Sequence, residues 1–189
     1  MRTTGVLSWL GGALFTIAMA SLHVIRRDLS PFERGMSRYA GGNTLGLATV
    51  GFLALVVSLL AARKCLEAAP RAAPRSLAAA SAGLAVVVAT PIGNPGTSSA
   101  VEAAHTLGGL VFYLGVTSAM FLAASRSVEH WIARAMSVAL VLFLLGAVGT
   151  PGLQPIVGLL QRVVFGIVVA WIARSALRCR TATPPLKGL

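Results

Sequence analysis

The chain of 189 residues has a mean hydropathy of +0.82, with 56% hydrophobic and 11% charged residues. Soluble domains carry charges on about a quarter of their residues, so this composition excludes an ordinary soluble domain and indicates an integral membrane protein. The basic residues behind the net charge of +11 lie mainly in short loops between apolar segments, where such residues set membrane orientation and meet anionic lipid headgroups. We therefore expect no nucleic-acid partner.

Six apolar segments approach the length of about 20 residues that a helix needs to cross a bilayer. They cover roughly residues 5–25, 44–62, 76–90, 103–124, 133–148 and 155–172. We predict an all-α integral membrane protein with six transmembrane helices in one bundle and short loops. Residues 1–175 form this domain, and residues 176–189 are predicted to be a basic, disordered cytoplasmic tail.

The first segment has an alternative interpretation as a secretory signal, because Ala18, Met19 and Ala20 imitate a cleavage site. The apolar run continues past that point, so we predict a retained first helix. Gly11 and Gly12 within it would let a neighbouring helix approach closely.

The connection after the first segment, residues 23–42, is unusually charged for this chain. It reads HVIRRDLSPFERGMSRYAGG and holds six of the 21 charged residues. Pro31 stops any helix that continues from the first segment. Such a charge density between two apolar helices indicates a role beyond connecting them.

The distribution of lysine and arginine predicts the orientation in the membrane. In the six-span topology, 11 of the 16 basic residues fall on the side of the two termini, so both termini are predicted to be cytoplasmic. Cys65 and Cys179 fall on that side, and neither belongs to a CxxC motif. We therefore expect no disulfide and no zinc site there.

Polar residues from three distant parts of the chain are predicted to meet on the outer side. His23 closes the first segment, Glu102 and His105 lie three residues apart at the start of the fourth, and Gln161 and Arg162 lie near the outer end of the sixth. An arginine near mid-membrane costs roughly 2.5 to 3.5 kcal/mol on insertion scales and is rarely left unpaired. We expect Arg162 to pair with Asp28, with Glu102 or with an anionic ligand; the alternative is that it reaches the interface or pairs in a purely structural way.

Two interpretations of the histidines remain open. His23 or His105 is a general base or metal ligand beside Asp28 or Glu102, or each is a hydrogen-bonded residue that fixes a loop. No HExxH or related metal spacing is present, so we predict no metal site and no cofactor. Ser37 lacks a nucleophile motif and is expected to serve in loop hydrogen bonding.

These residues together resemble the bacterial and archaeal membrane-protein family catalogued as domain of unknown function 998. The resemblance lies in six spans, a histidine closing the first, a Ser-x-Tyr-x-x-Gly motif before the second, a histidine opening the fourth and a Gln-Arg pair in the sixth. Here these are His23, the motif from Ser37 to Gly42, His105 and Gln161-Arg162, with an Arg-Arg-Asp segment at 26–28. The resemblance implies a prokaryotic cytoplasmic membrane and a shared polar site, and it implies no activity.

Three functions follow from this pattern as hypotheses. In the first, the polar site near the outer leaflet binds an anionic lipid headgroup or small anion. In the second, the chain is an enzyme acting on a lipid or polyprenyl substrate by His and acid catalysis. In the third, it is a structural subunit of a membrane complex, or a homo-oligomer, packed through glycine faces. The candidate ligand-binding residues are Arg26, Arg27, Ser37, Tyr39, Gln161 and Arg162.

Overall fold

The computed structural model describes residues 2–181, with side chains for residues 3–179. Six α-helices make up the bundle: α1 Arg2–Ile25, α2 Leu45–Cys65, α3 Ala72–Ala89, α4 Ser99–Ala123, α5 Ser127–Ala147 and α6 Val157–Thr181. All six are long and apolar enough to cross a membrane. The predicted fold class, six membrane helices in one bundle, is confirmed.

Several helices extend beyond the apolar segments from which they were predicted. Helix α3 begins at Ala72, because Pro74 falls in its first turn, where proline is tolerated. Helix α5 begins at Ser127, since the Glu129 carboxylate accepts hydrogen bonds from the backbone N–H of Ser125 at 2.7 Å and of Arg126 at 3.3 Å. Both helices therefore begin several residues before the apolar runs, at positions where a proline or a capping carboxylate is compatible with the first helical turn.

Helix α6 also runs past the predicted domain boundary at residue 175 and ends at Thr181. The start of the segment predicted as a disordered tail is therefore helical. The rest of that segment, residues 182–189, lies outside the described residues. Arg178 near the end of α6 forms an ion pair with Glu129, which is buried at the start of α5.

Because α6 extends to Thr181, its cysteine, Cys179, lies beside the end of α2. Cys65 and Cys179 form a disulfide, with their Cα atoms 5.3 Å apart. The expectation that these cysteines form no disulfide is therefore wrong. Compartment and motif, on which that expectation rests, carry no information on geometry: α6 continues beyond residue 172, so Cys179 lies on a helix beside the end of α2 rather than in a tail.

Small residues hold the neighbouring helices close together. A Cβ atom added at Gly83 of α3 would lie 2.6 Å from the carbonyl oxygen of Gly108 in α4, and one added at Gly11 of α1 would lie 2.5 Å from that of Ala54 in α2. The Ser8 and Ser58 hydroxyls donate hydrogen bonds reciprocally to each other's backbone carbonyls across α1 and α2. Close approach through small residues is a general way of packing helices in membranes.

An aromatic cluster fills the centre of the bundle. Contacting ring centroids within it lie 5.0 to 6.1 Å apart, in tilted, stacked and edge-on arrangements that suit aromatic pairs. Its members are Phe15, Phe52, Phe112, Tyr113 and Phe165. This cluster forms the floor beneath the polar region described next.

Candidate functional site

The connection between α1 and α2, residues 26–44, lies across one end of the bundle, and we call it the roof loop. Towards α6, the Leu159 N–H donates to the Phe32 carbonyl at 3.1 Å. Towards the α3–α4 connection, Arg38 Nη1 donates to the Ile92 carbonyl at 3.0 Å and the Gly42 N–H donates to Asn94 Oδ1 at 2.9 Å. The roof loop is therefore fastened to two sides of the bundle.

Arg162, in the second turn of α6, joins the roof loop to α1. Its Nε donates to His23 Nε2 at 2.6 Å, and its Nη1 donates to the Arg34 carbonyl at 2.9 Å. Its Nη2 donates to the Tyr39 hydroxyl at 3.0 Å, and a further Nη1 bond goes to the Gly158 carbonyl at 2.7 Å. The guanidinium thus donates four hydrogen bonds, to groups on α1, on α6 and in the roof loop.

These contacts determine the state of His23. An arginine Nε–H can only donate, so His23 Nε2 accepts, and the proton of a neutral imidazole then sits on Nδ1. That Nδ1 donates to the Met19 carbonyl at 2.5 Å. Both ring nitrogens are occupied, which supports the structural interpretation of His23 over that of a general base.

The acids expected beside Arg162 lie elsewhere. Asp28 accepts from Arg26 Nε at 2.9 Å and from Nη2 at 2.8 Å. These hydrogen bonds hold the pKa of Asp28 below its ordinary value, so it stays ionised at neutral pH. Glu102 is exposed at the start of α4. The expected pairing of Arg162 with Asp28 or Glu102 is wrong, because the loop supplies neutral oxygens that satisfy the guanidinium first.

Gln161, beside Arg162, faces the other side of α6. Its Oε1 accepts from the Met36 N–H at 2.6 Å, and its Nε2 donates to the Tyr113 hydroxyl at 2.9 Å. The two neighbouring residues therefore contact different elements. Arg162 contacts α1 and one part of the roof loop, while Gln161 joins another part of the roof loop to α4.

His105, in the second turn of α4, is 9% exposed. Its Nδ1 lies 2.7 Å from the Thr90 carbonyl, which closes the end of α3. The described residues contain no group of three or more His, Cys, Asp or Glu side chains suited to a metal.

A cavity of about 790 Å³ opens beneath the roof loop, between α3, α4, α5 and α6, and Phe52 of α2 also borders it. Its inner wall is apolar and consists mainly of Phe52, Leu84, Phe112, Phe143, Leu144 and Phe165. Its outer wall is polar and includes Glu33, Arg34, Ser37, Arg38, His105 and Gln161. The cavity is therefore amphipathic along the direction in which the helices run.

The structure separates the predicted site residues into three groups. Ser37, His105 and Gln161 line the cavity. Tyr39 and Arg162 lie behind its wall in the cluster with His23, and Arg26 and Arg27 lie near the end of α1. No hydrogen bond or ion pair joins any two of the four candidate catalytic residues His23, Asp28, Glu102 and His105.

Three polar residues that line the cavity, Arg34, Arg38 and Tyr113, were not predicted as site residues. Arg34 and Arg38 were counted only for orientation, since the direction of a loop side chain cannot be read from its position. Tyr113 was hidden within an apolar segment, although a tyrosine hydroxyl in mid-segment needs a partner and is a usable signal. Here that partner is Gln161.

A family model described as "Protein of unknown function (DUF998)" matches residues 9–178. The chain belongs to the DUF998 family. The matched range covers most or all of each of the six helices and every residue of the Arg162 cluster and the cavity, so the resemblance is confirmed. No curated protein and no solved structure matches this DUF998 chain significantly.

Proposed function

We propose that this DUF998 protein binds an anionic lipid in the cavity, with the headgroup at the polar outer wall and an acyl chain along the apolar inner wall. The observation that carries the proposal is the union of these two walls in one cavity. Its volume of about 790 Å³ falls within the range of roughly 300 to 1,000 Å³ typical of ligand pockets.

Charge supports an anion rather than a cation. The ionised side chains that line the cavity are Arg34, Arg38 and Glu33, which give a net charge of +1. Among the described residues the Arg34 guanidinium has no hydrogen-bond or ion-pair partner, whereas Arg38 donates to the Ile92 carbonyl. Arg34 is therefore the residue most available to a headgroup, and Arg162 holds the loop that carries it.

The binding test compares lipids and loop variants. In native mass spectrometry of the purified protein, phosphatidylglycerol is expected to bind more tightly than zwitterionic phosphatidylcholine. Arg34→Gln should weaken phosphatidylglycerol binding about fivefold, since one basic residue near an anionic lipid contributes about 1 kcal/mol. Arg27→Gln, an exposed residue outside the cavity wall, is the matched control and should have no effect. Equal binding by both variants and the wild type would refute the proposal.

We also propose that the cavity end faces outward and both termini face the cytoplasm, as the basic residues predict. This orientation places the Cys65–Cys179 disulfide on the side where cellular thiols are usually kept reduced. A disulfide formed by an oxidising compartment would instead require the opposite orientation. Labelling of engineered cysteines at the two ends of the bundle tests this orientation.

In a variant with both cysteines replaced by serine, Ser99→Cys should react with a membrane-impermeant maleimide in intact cells. Ser99 is exposed at the cavity end. Ala68→Cys, exposed at the opposite end, is the control and should react only after permeabilisation. The reverse pattern of labelling would place the cavity on the cytoplasmic side and the disulfide outside.

A further inference from the structure

We infer that the cavity opens sideways into the membrane between α4 and α5, and that the acyl chain of the bound lipid enters through this opening, which we call the portal. The portal lies between the roof loop and the ring pair of Tyr113 and Phe143, and Gly109 and Ala147 border it. This inference rests on the proposed function and adds the route by which the ligand arrives.

Close contacts seal the other sides of the cavity. On the α3 side, a Cβ atom added at Gly108 of α4 would lie 2.8 Å from the Gly83 carbonyl oxygen. On the α6 side, a Cβ atom added at Gly146 of α5 would lie 3.1 Å from the Leu153 carbonyl oxygen, in the connection to α6. The roof loop is itself fastened to α6 and to the α3–α4 connection.

Gly109 faces a different environment from its neighbour Gly108. It lines the cavity, and a Cβ atom there would meet only the Tyr113 ring of its own helix, at 3.9 Å, with no atom of α5 within 4 Å. One turn further along α4, the rings of Tyr113 and Phe143 contact each other with their centroids 5.3 Å apart. Helices α4 and α5 therefore touch at the level of this ring pair and leave space at the level of Gly109.

The exposure of the residues that line the cavity indicates the same opening. Leu84 on α3 and Phe165 on α6 line the cavity and are buried. Leu110 on α4 and Leu144 on α5 also line it but are only half-buried, and Ala147 near the end of α5 is exposed. The inner wall is therefore reached from the α4–α5 side.

The depth of the portal suits an acyl chain. Gly109 lies about 15 Å along α4 from its first residue, Ser99. The hydrocarbon core of a bilayer is about 30 Å thick, so this position corresponds to the depth of the lipid chains. A chain that enters here passes from the bilayer core to the apolar inner wall without exposing its methylene groups to water, which is unfavourable. The headgroup then lies towards the polar outer wall of the same cavity.

The first test fills the portal with a side chain. Gly109→Phe places a ring where a Cβ atom has no close contact, and Gly166→Phe is the matched control because its Cβ atom also meets nothing, on the exposed face of α6. In native mass spectrometry of the full chain, Gly109→Phe should weaken phosphatidylglycerol binding roughly tenfold or more, since keeping two methylene groups off the apolar wall has about that effect. Gly166→Phe should bind like the wild type. Equal binding by the two variants would overturn the inference.

A second test separates an entrance from a part of the binding site. Cys65 and Cys179 are joined in the disulfide, so Gly109→Cys adds one reactive thiol. N-phenylmaleimide added before phosphatidylglycerol should prevent binding. In molecules that react after the lipid has bound, the adduct should trap that lipid against exchange with deuterated phosphatidylglycerol, and native mass spectrometry reads both masses. Loss of the lipid in both orders of addition would show that position 109 belongs to the binding site rather than to its entrance, which contradicts the portal.

The wild type distinguishes this failure from failure of the proposed function. If the wild type binds phosphatidylglycerol no more tightly than phosphatidylcholine, the proposed function itself fails. If the wild type has that preference and Gly109→Phe binds phosphatidylglycerol equally well, the proposed function stands and the portal is wrong.

Discussion

Replacing Arg162 with lysine is expected to release the roof loop and to speed trypsin cleavage at Arg34 and Arg38 about tenfold. The guanidinium contacts His23, Tyr39 and the Arg34 carbonyl at once. A lysine ammonium keeps the charge but is a single point that cannot reach all three. Hydrogen bonds between membrane helices contribute on average about 0.6 kcal/mol each, up to about 1.7. Losing two or three therefore favours loop opening by about 1 to 2 kcal/mol.

Because lysine retains the positive charge, this substitution tests the hydrogen-bonding geometry of the guanidinium without changing the net charge. Limited proteolysis in detergent measures the opening, since cleavage follows the population of the open loop when reclosing is fast. Arg27→Lys is the matched control, because Arg27 is exposed and donates only to the Val24 carbonyl. Cleavage at the same rate in Arg162→Lys and wild type would show that Arg162 does not hold the loop.

The cluster around Arg162 shows what the sequence could predict and where it stopped. Apolar segments located the six helices, and the meeting of His23 and Arg162 at one end of the bundle followed from their positions in the first and sixth segments. The partners of Arg162 could not be predicted, because they include a backbone carbonyl of the roof loop. That contact depends on the path of the loop, which local sequence patterns do not encode.

The cavity could not be predicted from the sequence, for a different reason. Its inner wall consists of phenylalanine and leucine residues that are indistinguishable, in sequence, from those facing lipid or filling the core. Its polar wall includes arginines of the roof loop, whose direction is set by contacts with α6 and with the α3–α4 connection. A cavity of this kind is a product of helix packing, so it emerges only from the assembled bundle.

One glycine permits the contact between α6 and the roof loop. A Cβ atom at Gly158 would lie 2.5 Å from the Arg34 carbonyl oxygen, 2.7 Å from that of Phe32 and 2.8 Å from that of Pro31. All three atoms are backbone, so no side-chain rotation could relieve the contact. The position was not singled out in the sequence, since glycine is common in membrane helices.

Gly158→Ala is therefore expected to destabilise the protein by about 1 to 3 kcal/mol, the usual cost of overpacking, and to displace the roof loop from α6. Gly166→Ala in the same helix is the matched control, because a Cβ atom there meets nothing within 4 Å. That control should leave stability unchanged or raise it by up to about 1 kcal/mol, the helix-propensity difference between glycine and alanine. Thermal unfolding in detergent measures both changes, and trypsin cleavage of the roof loop should rise only in Gly158→Ala. Equal stability of the two variants would mean that the loop does not rest on α6 at Gly158, and the cavity would then lack the roof that places Arg34 on its wall.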